Sequence, residues 1–380
     1  MKVGIVGQGY VGSALGKAAH SVGHEVIGIV IDQNRLTTLE NEVEYRITSN
    51  FTELSTCKIV VIAVPTPLDE RGNPDISYIK DACTSLSQVL TERTLVINES
   101  TSFPGTLRKT IAPTLGPKNL YASAPERIDP ANSKWNIFNT PRVIAGLNNQ
   151  ALLEAFNFYK SFCDSVIKVS TPEVAETAKL FENTFRQVNI ALVNELSVIT
   201  SSLEIPTNEV ILAASSKPFG FMPFSPSLGV GGHCIPVDPI YLSYAAAERG
   251  INAQFINLAT RVNSEMPKVI VDKVEKLLGK KLRGLEVQVA GIAYKSGVSD
   301  LRESPALKLI DLLRNLGAKV TWHDNYVEEW NGEISQPLQE VEVGLIATNH
   351  PKVDYSTWKH GRTTVFDLSA NLHSDWNRVL

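Results

Sequence analysis

The chain has 380 residues, 43% hydrophobic and 20% charged, and a formal net charge of -4. That length allows two or three domains of roughly 150 residues, and the mixed charge excludes a basic face for nucleic acid or an anionic membrane. The longest apolar run, residues 59–65, is far short of the roughly 18 that a membrane span needs, and no signal-peptide layout precedes the first strand pattern. Four widely spaced cysteines (Cys57, Cys83, Cys163, Cys234) form neither a disulfide framework nor metal-ligand spacing, which fits reduced thiols in the cytoplasm and no metal.

Short apolar runs at residues 3–6, 25–31, 59–64, 94–98 and 142–145 alternate with helix-length segments, the rhythm of βαβ units and a parallel sheet. Gly7-Gln8-Gly9-Tyr10-Val11-Gly12 lies between the first strand and a helix predicted over 10–22. Glycines there permit a tight turn and let backbone amides approach a pyrophosphate. Asp32 ends the second strand, either as the ribose-binding acid or as a plain strand-end carboxylate. Val64-Pro65-Thr66-Pro67 and Glu99-Ser100-Thr101 end further strands at the carboxyl edge, where ligands bind in open α/β folds. Each group is also explained by strand termination or surface solvation.

The texture changes at Thr171-Pro172-Glu173, a helix-start signature. Apolar residues recur from Val174 through Phe181, Phe185, Leu192 and Ile199 to Leu203, an amphipathic stripe on one long helix that Pro206 stops. The stripe is expected to form a connecting spine and part of a homodimer interface. Lys179 and Asn183 share a face of this helix, either as two donors to a developing oxyanion or as a solvated pair. In Gly229-Val230-Gly231-Gly232-His233-Cys234-Ile235-Pro236-Val237-Asp238-Pro239, glycines let backbone crowd a ligand, Cys234 offers a nucleophile, and Asp238 is placed to orient water. Helices follow to about residue 278. The βα rhythm then resumes, with strands at 286–293, 319–322, 344–347 and 363–367 and a helix at 304–316. The fold class is therefore α/β, with two Rossmann-like doubly wound parallel-sheet domains (1–170 and 276–380) joined by a central helical domain (171–275) with one long helix.

In their order along nearly the whole chain, GQGYVG, VPTP, ESTSFPGT, APERIDP, AKLFENTFRQVN, GVGGHCIPVDP and GIAYKSGVSDLRESPA resemble the UDP-glucose/GDP-mannose dehydrogenase family. APERIDP, KPFGFMPF and GGHCIP look like its branch acting on UDP-N-acetylhexosamines. The resemblance implies oxidation of a sugar C6 alcohol to a carboxylate with NAD, through a thioester on Cys234. It implies oxyanion stabilisation by Lys179 and Asn183, water orientation by Asp238, and placement of Thr101 and Glu126 near the nicotinamide and the hydrolytic water. Cofactor contacts are implied for Gly7, Gly9, Tyr10, Val11, Gly12, Asp32, Arg35, Pro65, Thr66 and Thr101. Substrate contacts are implied for Glu126, Arg127, Lys179, Asn183, Phe224 and Gly231, for Arg261 across a dimer, and for Lys295 and Arg302 on the UDP half. Departures from the family pattern are Val30 for a common Asp, Ala131 for a common glycine, and Ser227-Leu228 in a usual PGPG. Arg35 beside Asp32 leaves NADP open as an alternative cofactor. The competing functions are a UDP-glucose or GDP-mannose dehydrogenase and a non-catalytic nucleotide-sugar-binding protein.

Overall fold

The computed structural model describes residues 1–91, 93–129, 132, 134–369 and 376–380; Ala131 lies outside them. The chain divides into two compact units, residues 1–182 with 240–251, and residues 183–239 with 252–380. Among the described residues no helix is long and apolar enough to cross a membrane.

The first unit is built on an eight-stranded sheet. In chain order its strands are β1 (Lys2–Val6), β2 (Glu25–Ile29), β3 (Arg46–Thr48), β4 (Ile59–Ile62), β5 (Leu95–Asn98), β6 (Leu120–Ser123), β7 (Arg142–Gly146) and β8 (Val166–Lys168). They lie in the order β3-β2-β1-β4-β5-β6-β7-β8. The first six run parallel in the doubly wound dinucleotide-binding order. The sheet is not wholly parallel as the rhythm predicts, because β7 pairs antiparallel with β6. Its helices are α1 (Tyr10–Ser21), α2 (Gln33–Glu40), α3 (Ser77–Val89), α4 (Ala112–Leu115) and α5 (Asn149–Lys160). Strands buried on both faces explain the unbroken apolar runs, such as Ile59–Ile62, that marked them in the sequence. Val3, Ile5, Leu15, Val61, Ile97 and Phe158 are in the core.

The long helix α6 (Pro172–Ser202) is a single element. Thr171 Oγ1 accepts from the Val174 amide at its start, as its position predicts. It ends four residues before Pro206, which caps the next helix, α7 (Thr207–Ser215). Its apolar stripe is exposed: Phe181 and Leu192 are each 62% accessible. The buried face is mixed, with Gln187, Asn194 and Ser197 beside Leu180, Ala191 and Val193.

The second unit adds α8 (Asp238–Ala247), whose later part belongs to the first, and α9 (Gln254–Leu278). Its strands are β9 (Glu286–Ala290), β10 (Lys319–His323), a small hairpin of β11 (Glu329–Trp330) and β12 (Glu333–Ile334), then β13 (Val343–Ile346), β14 (Thr364–Asp367) and β15 (Asn377–Arg378). The helices among them are α10 (Pro305–Asn315) and α11 (Ser356–His360). The parallel sheet β10-β9-β13-β14-β15 is the shorter doubly wound order, with its switch point between β9 and β13. Ile270, Val287, Leu309 and Trp322 centre its core.

Candidate active site

In the first unit, the order in which strands are added reverses between the parallel β1 and β4, and the glycine turn sits there. Gly7 has φ +91°, and a side chain on it would meet the Ala63 carbonyl oxygen at 2.4 Å. A Cβ on Gly12 would lie 1.9 Å from the Gly7 carbonyl oxygen, so α1 closes directly onto the turn. A Cβ on Gly9, by contrast, would meet nothing within 4 Å. Gly9 caps α1 with no side-chain hydrogen bond to its first turn. Two glycines required by packing and one facing a void fit a dinucleotide pyrophosphate over Tyr10 and Val11. Burial raises the Tyr10 hydroxyl pKa, with help from the nearby Glu126 and Asp129 carboxylates.

Asp32 caps α2, accepting from the Arg35 amide at 2.8 Å, while the Arg35 guanidinium turns to Glu42 at 3.3 Å. Val30, where the family has an acid, is buried in the core. Pro65 and Thr66 follow β4 at the rim, and Thr101 is half-buried beyond β5.

The rim group at residues 99–101 does not all face outward. Ser100 Oγ donates to the Val64 carbonyl at 2.8 Å and accepts from its amide at 2.9 Å. Glu99 points inward: Tyr159 donates to it at 2.5 Å, and Arg142 lies 3.5 Å away, all three side chains being buried. Burial pushes the Glu99 carboxyl up, against the pull of Arg142 and Tyr159. Of the three residues only Thr101 remains at the rim, because the other two knit strand ends together.

Glu126, buried beyond β6, places Oε2 4.0 Å from Lys179 Nζ. Arg127 is committed to Glu182 at 2.7 Å and to the Pro141 carbonyl at 2.7 Å, so its guanidinium already braces α6. One turn before Lys179, Glu176 accepts from the amides of Gly105 (2.7 Å) and Leu107 (3.1 Å), closing the turn that follows Thr101. Burial outweighs these donors and pushes its carboxyl up to about 7. Sequence reasoning missed Glu176. Its signal was present, since 176, 179 and 183 fall on one helix face.

In the second unit, Cys234 is half-buried while Cys57, Cys83 and Cys163 are buried. Burial pushes the Cys57 thiol up to about 11 and Cys83 to about 12, and raises Cys163 as well. The Asp238 amide donates to the Cys234 carbonyl at 2.8 Å, one helical turn on. The buried Asp238 carboxylate accepts from Asn183 Nδ2 at 2.5 Å. Carboxylate and amide are thus joined by α6 and the start of α8, one helical turn beyond Cys234.

The loop's glycines have a packing reason. A Cβ on Gly231 would lie 2.8 Å from Tyr294 Cβ, and one on Gly232 (φ +81°) 2.8 Å from the Tyr294 ring. The Gly232 amide donates to the Arg302 carbonyl at 2.9 Å, and the Cys234 charge helps raise the Arg302 pKa, after the larger effect of its fork with Asp300. Upstream, Asn194 accepts from the Ser227 amide (2.7 Å) and donates to Asn263 (3.0 Å), which donates to the Gln187 carbonyl (3.1 Å). This buried amide chain, invisible to hydrophobic periodicity, anchors the loop. The Ser227-Leu228 departure is accommodated there, with Leu228 in the core. Phe224 packs edge-on against Phe185 at 6.0 Å, and Arg261 is exposed on α9.

A cavity of about 400 Å3 opens at the second switch point, walled by residues 227–229, Tyr294, Lys295, Thr348, Asn349 and Ser369. Lys295 is therefore at a cavity, whereas the Arg302 guanidinium is held by Asp300.

Two doubly wound sheets, one with a glycine turn and one with a cavity at its switch point, define a nucleotide-binding α/β protein. Residues 1–163 match the NAD binding domain of the UDP-glucose/GDP-mannose dehydrogenase family, residues 173–265 its central domain, and residues 288–380 its UDP binding domain. The chain is 34% identical to Protein CapL of Staphylococcus aureus, over 98% of this chain and 96% of that one. It is 33% identical to a UDP-N-acetyl-D-glucosamine 6-dehydrogenase of Pseudomonas aeruginosa, over 83% and 80%. The structure of a UDP-D-ManNAc dehydrogenase from Pyrococcus horikoshii superposes with a TM-score of 0.86 at 28% identity, covering 100% of this chain and 99% of that one. The chain belongs to the UDP-glucose/GDP-mannose dehydrogenase family and is an NAD-dependent nucleotide-sugar dehydrogenase.

Proposed function

We propose that the substrate is a UDP-N-acetylhexosamine and that its C6 alcohol is taken to the carboxylate through a thioester on Cys234. The observation that carries this reading is the half-buried Cys234, one helical turn before an Asp238 that Asn183 holds. The names of the relatives from Pseudomonas aeruginosa and Pyrococcus horikoshii support the sugar class.

The glycine turn would hold two NAD molecules in succession, each of which would supply the hydride acceptor for one of two oxidations. The first takes alcohol to aldehyde. The Cys234 sulfur then adds to the aldehyde carbon, and the tetrahedral adduct keeps its oxygen charge near the Lys179 ammonium and the Asn183 amide. Loss of the second hydride leaves the thioester. Water oriented by Asp238 releases the acid and regenerates the thiol, with Glu126 and Thr101 at the cofactor side. The contacts assigned above by resemblance to Pro65, Thr66, Arg127, Phe224, Gly231, Arg261, Lys295 and Arg302 complete the proposed site. Of these, Arg127 also pairs with Glu182.

The exposed stripe of Phe181, Phe185, Leu192 and Ile199 is proposed as the homodimer face, since contiguous apolar surface of this kind marks an interface. Buried thiols with raised pKa values fit a cytoplasmic setting.

The test is NADH formation at 340 nm with UDP-GlcNAc, UDP-ManNAc, UDP-GalNAc, UDP-glucose and GDP-mannose offered separately. Two NADH per molecule of one UDP-N-acetylhexosamine is the expected result. Turnover of UDP-glucose or GDP-mannose alone overturns the sugar, and full turnover by Cys234→Ser overturns the thioester.

A further inference from the structure

Asp324 lies immediately beyond β10, with its side chain buried. Its carboxylate accepts from the amides of Ile292 (2.8 Å) and Ala293 (3.1 Å) beyond β9, and of Tyr326 (2.8 Å) and Val327 (3.2 Å). A fifth partner is His350 Nε2 at 3.0 Å, also buried, from beyond β13. The other ring nitrogen, Nδ1, receives the amide of Gly297 at 3.0 Å.

These partners determine the tautomer. A carboxylate only accepts, so Nε2 carries the hydrogen; a backbone amide only donates, so Nδ1 offers a lone pair. Tyr326 stacks on the ring at 4.8 Å. His350 therefore clips the 294–297 loop to the end of β10, across the switch point. The same loop walls the cavity with Tyr294, Lys295 and Ser296, and Thr348 and Asn349 beyond β13 also line it. Ser296 Oγ donates to the Asn349 carbonyl (2.7 Å) and Thr348 Oγ1 to the Ala293 carbonyl (2.7 Å), so the two walls are already stitched at other points.

We propose that His350 is a positioning residue for the nucleotide half of the substrate, holding the 294–297 wall so that Lys295 stays at the cavity. This rests on the reading that the substrate is a UDP sugar. Asp324 has four amide donors without His350, so losing the imidazole weakens the tie between strand ends without undoing it. What the imidazole alone supplies is the acceptor for Gly297. At that point the loop is open on its outer side, since a Cβ on Gly297 would meet nothing within 4 Å.

The experiment titrates uridine diphosphate calorimetrically into the full chain and into His350→Gln and His350→Asn. NAD affinity, thermal unfolding, KM and kcat are measured alongside. Gln retains a donor toward Asp324 and loses the acceptor at Nδ1; Asn retains an acceptor near Nδ1 and loses the reach to Asp324. His350→Gln is expected to weaken uridine diphosphate binding and raise KM roughly tenfold, the effect of one lost tie with an amide left unpaired. Its kcat and NAD affinity should stay within about twofold. His350→Asn is expected to recover most of the nucleotide affinity while unfolding at a lower temperature. Wild-type affinity in His350→Gln, or equal losses in both variants that track thermal stability, overturns the positioning role. Failure of the wild-type chain to bind uridine diphosphate overturns the UDP-sugar reading, and this proposal with it.

Discussion

The two sheets solve the same problem at their switch points with one shared device and one that differs. Gly7 beyond β1 and Gly291 beyond β9 both have positive φ, +91° and +80°. Each packs where a Cβ would strike a carbonyl oxygen beyond the neighbouring strand, Ala63 at 2.4 Å and Thr348 at 1.9 Å. Each donates its amide to the strand on the other side, to Ile29 (3.1 Å) and His323 (2.8 Å). After that the sheets diverge. The first goes straight into α1 through two more glycines, so its ligand cradle is made of backbone. The second spans residues 292–304 before α10 and shapes that loop with the buried Asp324–His350 pair.

Their buried carboxylates differ for the same reason. Glu99 has a guanidinium and a phenol for partners, and burial wins, raising its pKa. Burial also acts on Asp324, but the hydrogen bond from His350 and the amides of Tyr326 and Ala293 hold it below the ordinary carboxylate range. Aimed donors from several chain segments offset burial at Asp324, whereas one phenol and a cation at 3.5 Å do not at the more deeply buried Glu99.

The widest break in the comparison would come from Arg142→Met, which leaves Glu99 buried beside a phenol alone. A loss of about 3–5 kcal/mol is expected from denaturant unfolding, and the Arg142→Met/Glu99→Gln double variant should recover part of it. Gly291→Ala is next. Positive φ alone costs about 1–2 kcal/mol, and the backbone contact adds to it. Gly291→Ala should lower the unfolding midpoint more than Gly7→Ala, since its contact is closer. Gly7→Ala should cost NAD affinity, and Gly291→Ala uridine diphosphate affinity; equal effects on both ligands would show that the two turns are not independent devices.

Glu176 offers a pH test confined to the first unit. Its folded carboxyl is raised to about 7 from 4.5, so its contribution to stability is fully present below pH 4.5 and is lost as pH rises through 7. Relative to Glu176→Gln, the wild type should lose on the order of 3 kcal/mol across that window. A flat difference would mean that the two amide donors compensate burial. The smallest effect concerns cofactor choice. Glu42→Gln frees Arg35, and because an exposed pair contributes under about 1 kcal/mol, NADP use relative to NAD should rise by no more than about fivefold. No change would show that the Arg35–Glu42 contact does not govern the choice.

Much of this was legible in the chain, because local rules act where the relevant residues are neighbours. Buried strands of a parallel sheet read as apolar runs, and β1, β4, β5 and β9 fall where those runs lie. The glycine turn and the Cys234 loop were legible because glycines mark backbone packed where no side chain fits, as at Gly12 and Gly231. Short strands such as β3 and β8 were not, since three residues carry no periodicity. Periodicity also could not say that the apolar stripe of α6 lies outward and that Gln187, Asn194 and Asn263 form the buried contacts, because a helix pattern marks a face and not its partner.

The sequence by itself determined the fold class, the family and which thiol stands apart, since each is written in adjacent residues. Only the tertiary structure decided that Glu99 faces inward, that Arg127 is spent on Glu182, that Glu176 holds the turn after Thr101, and that His350 clips Gly297 to Asp324. Each of these joins residues far apart in the chain. Their protonation and direction depend on burial and on hydrogen-bond partners that only folding brings within 3 Å or so.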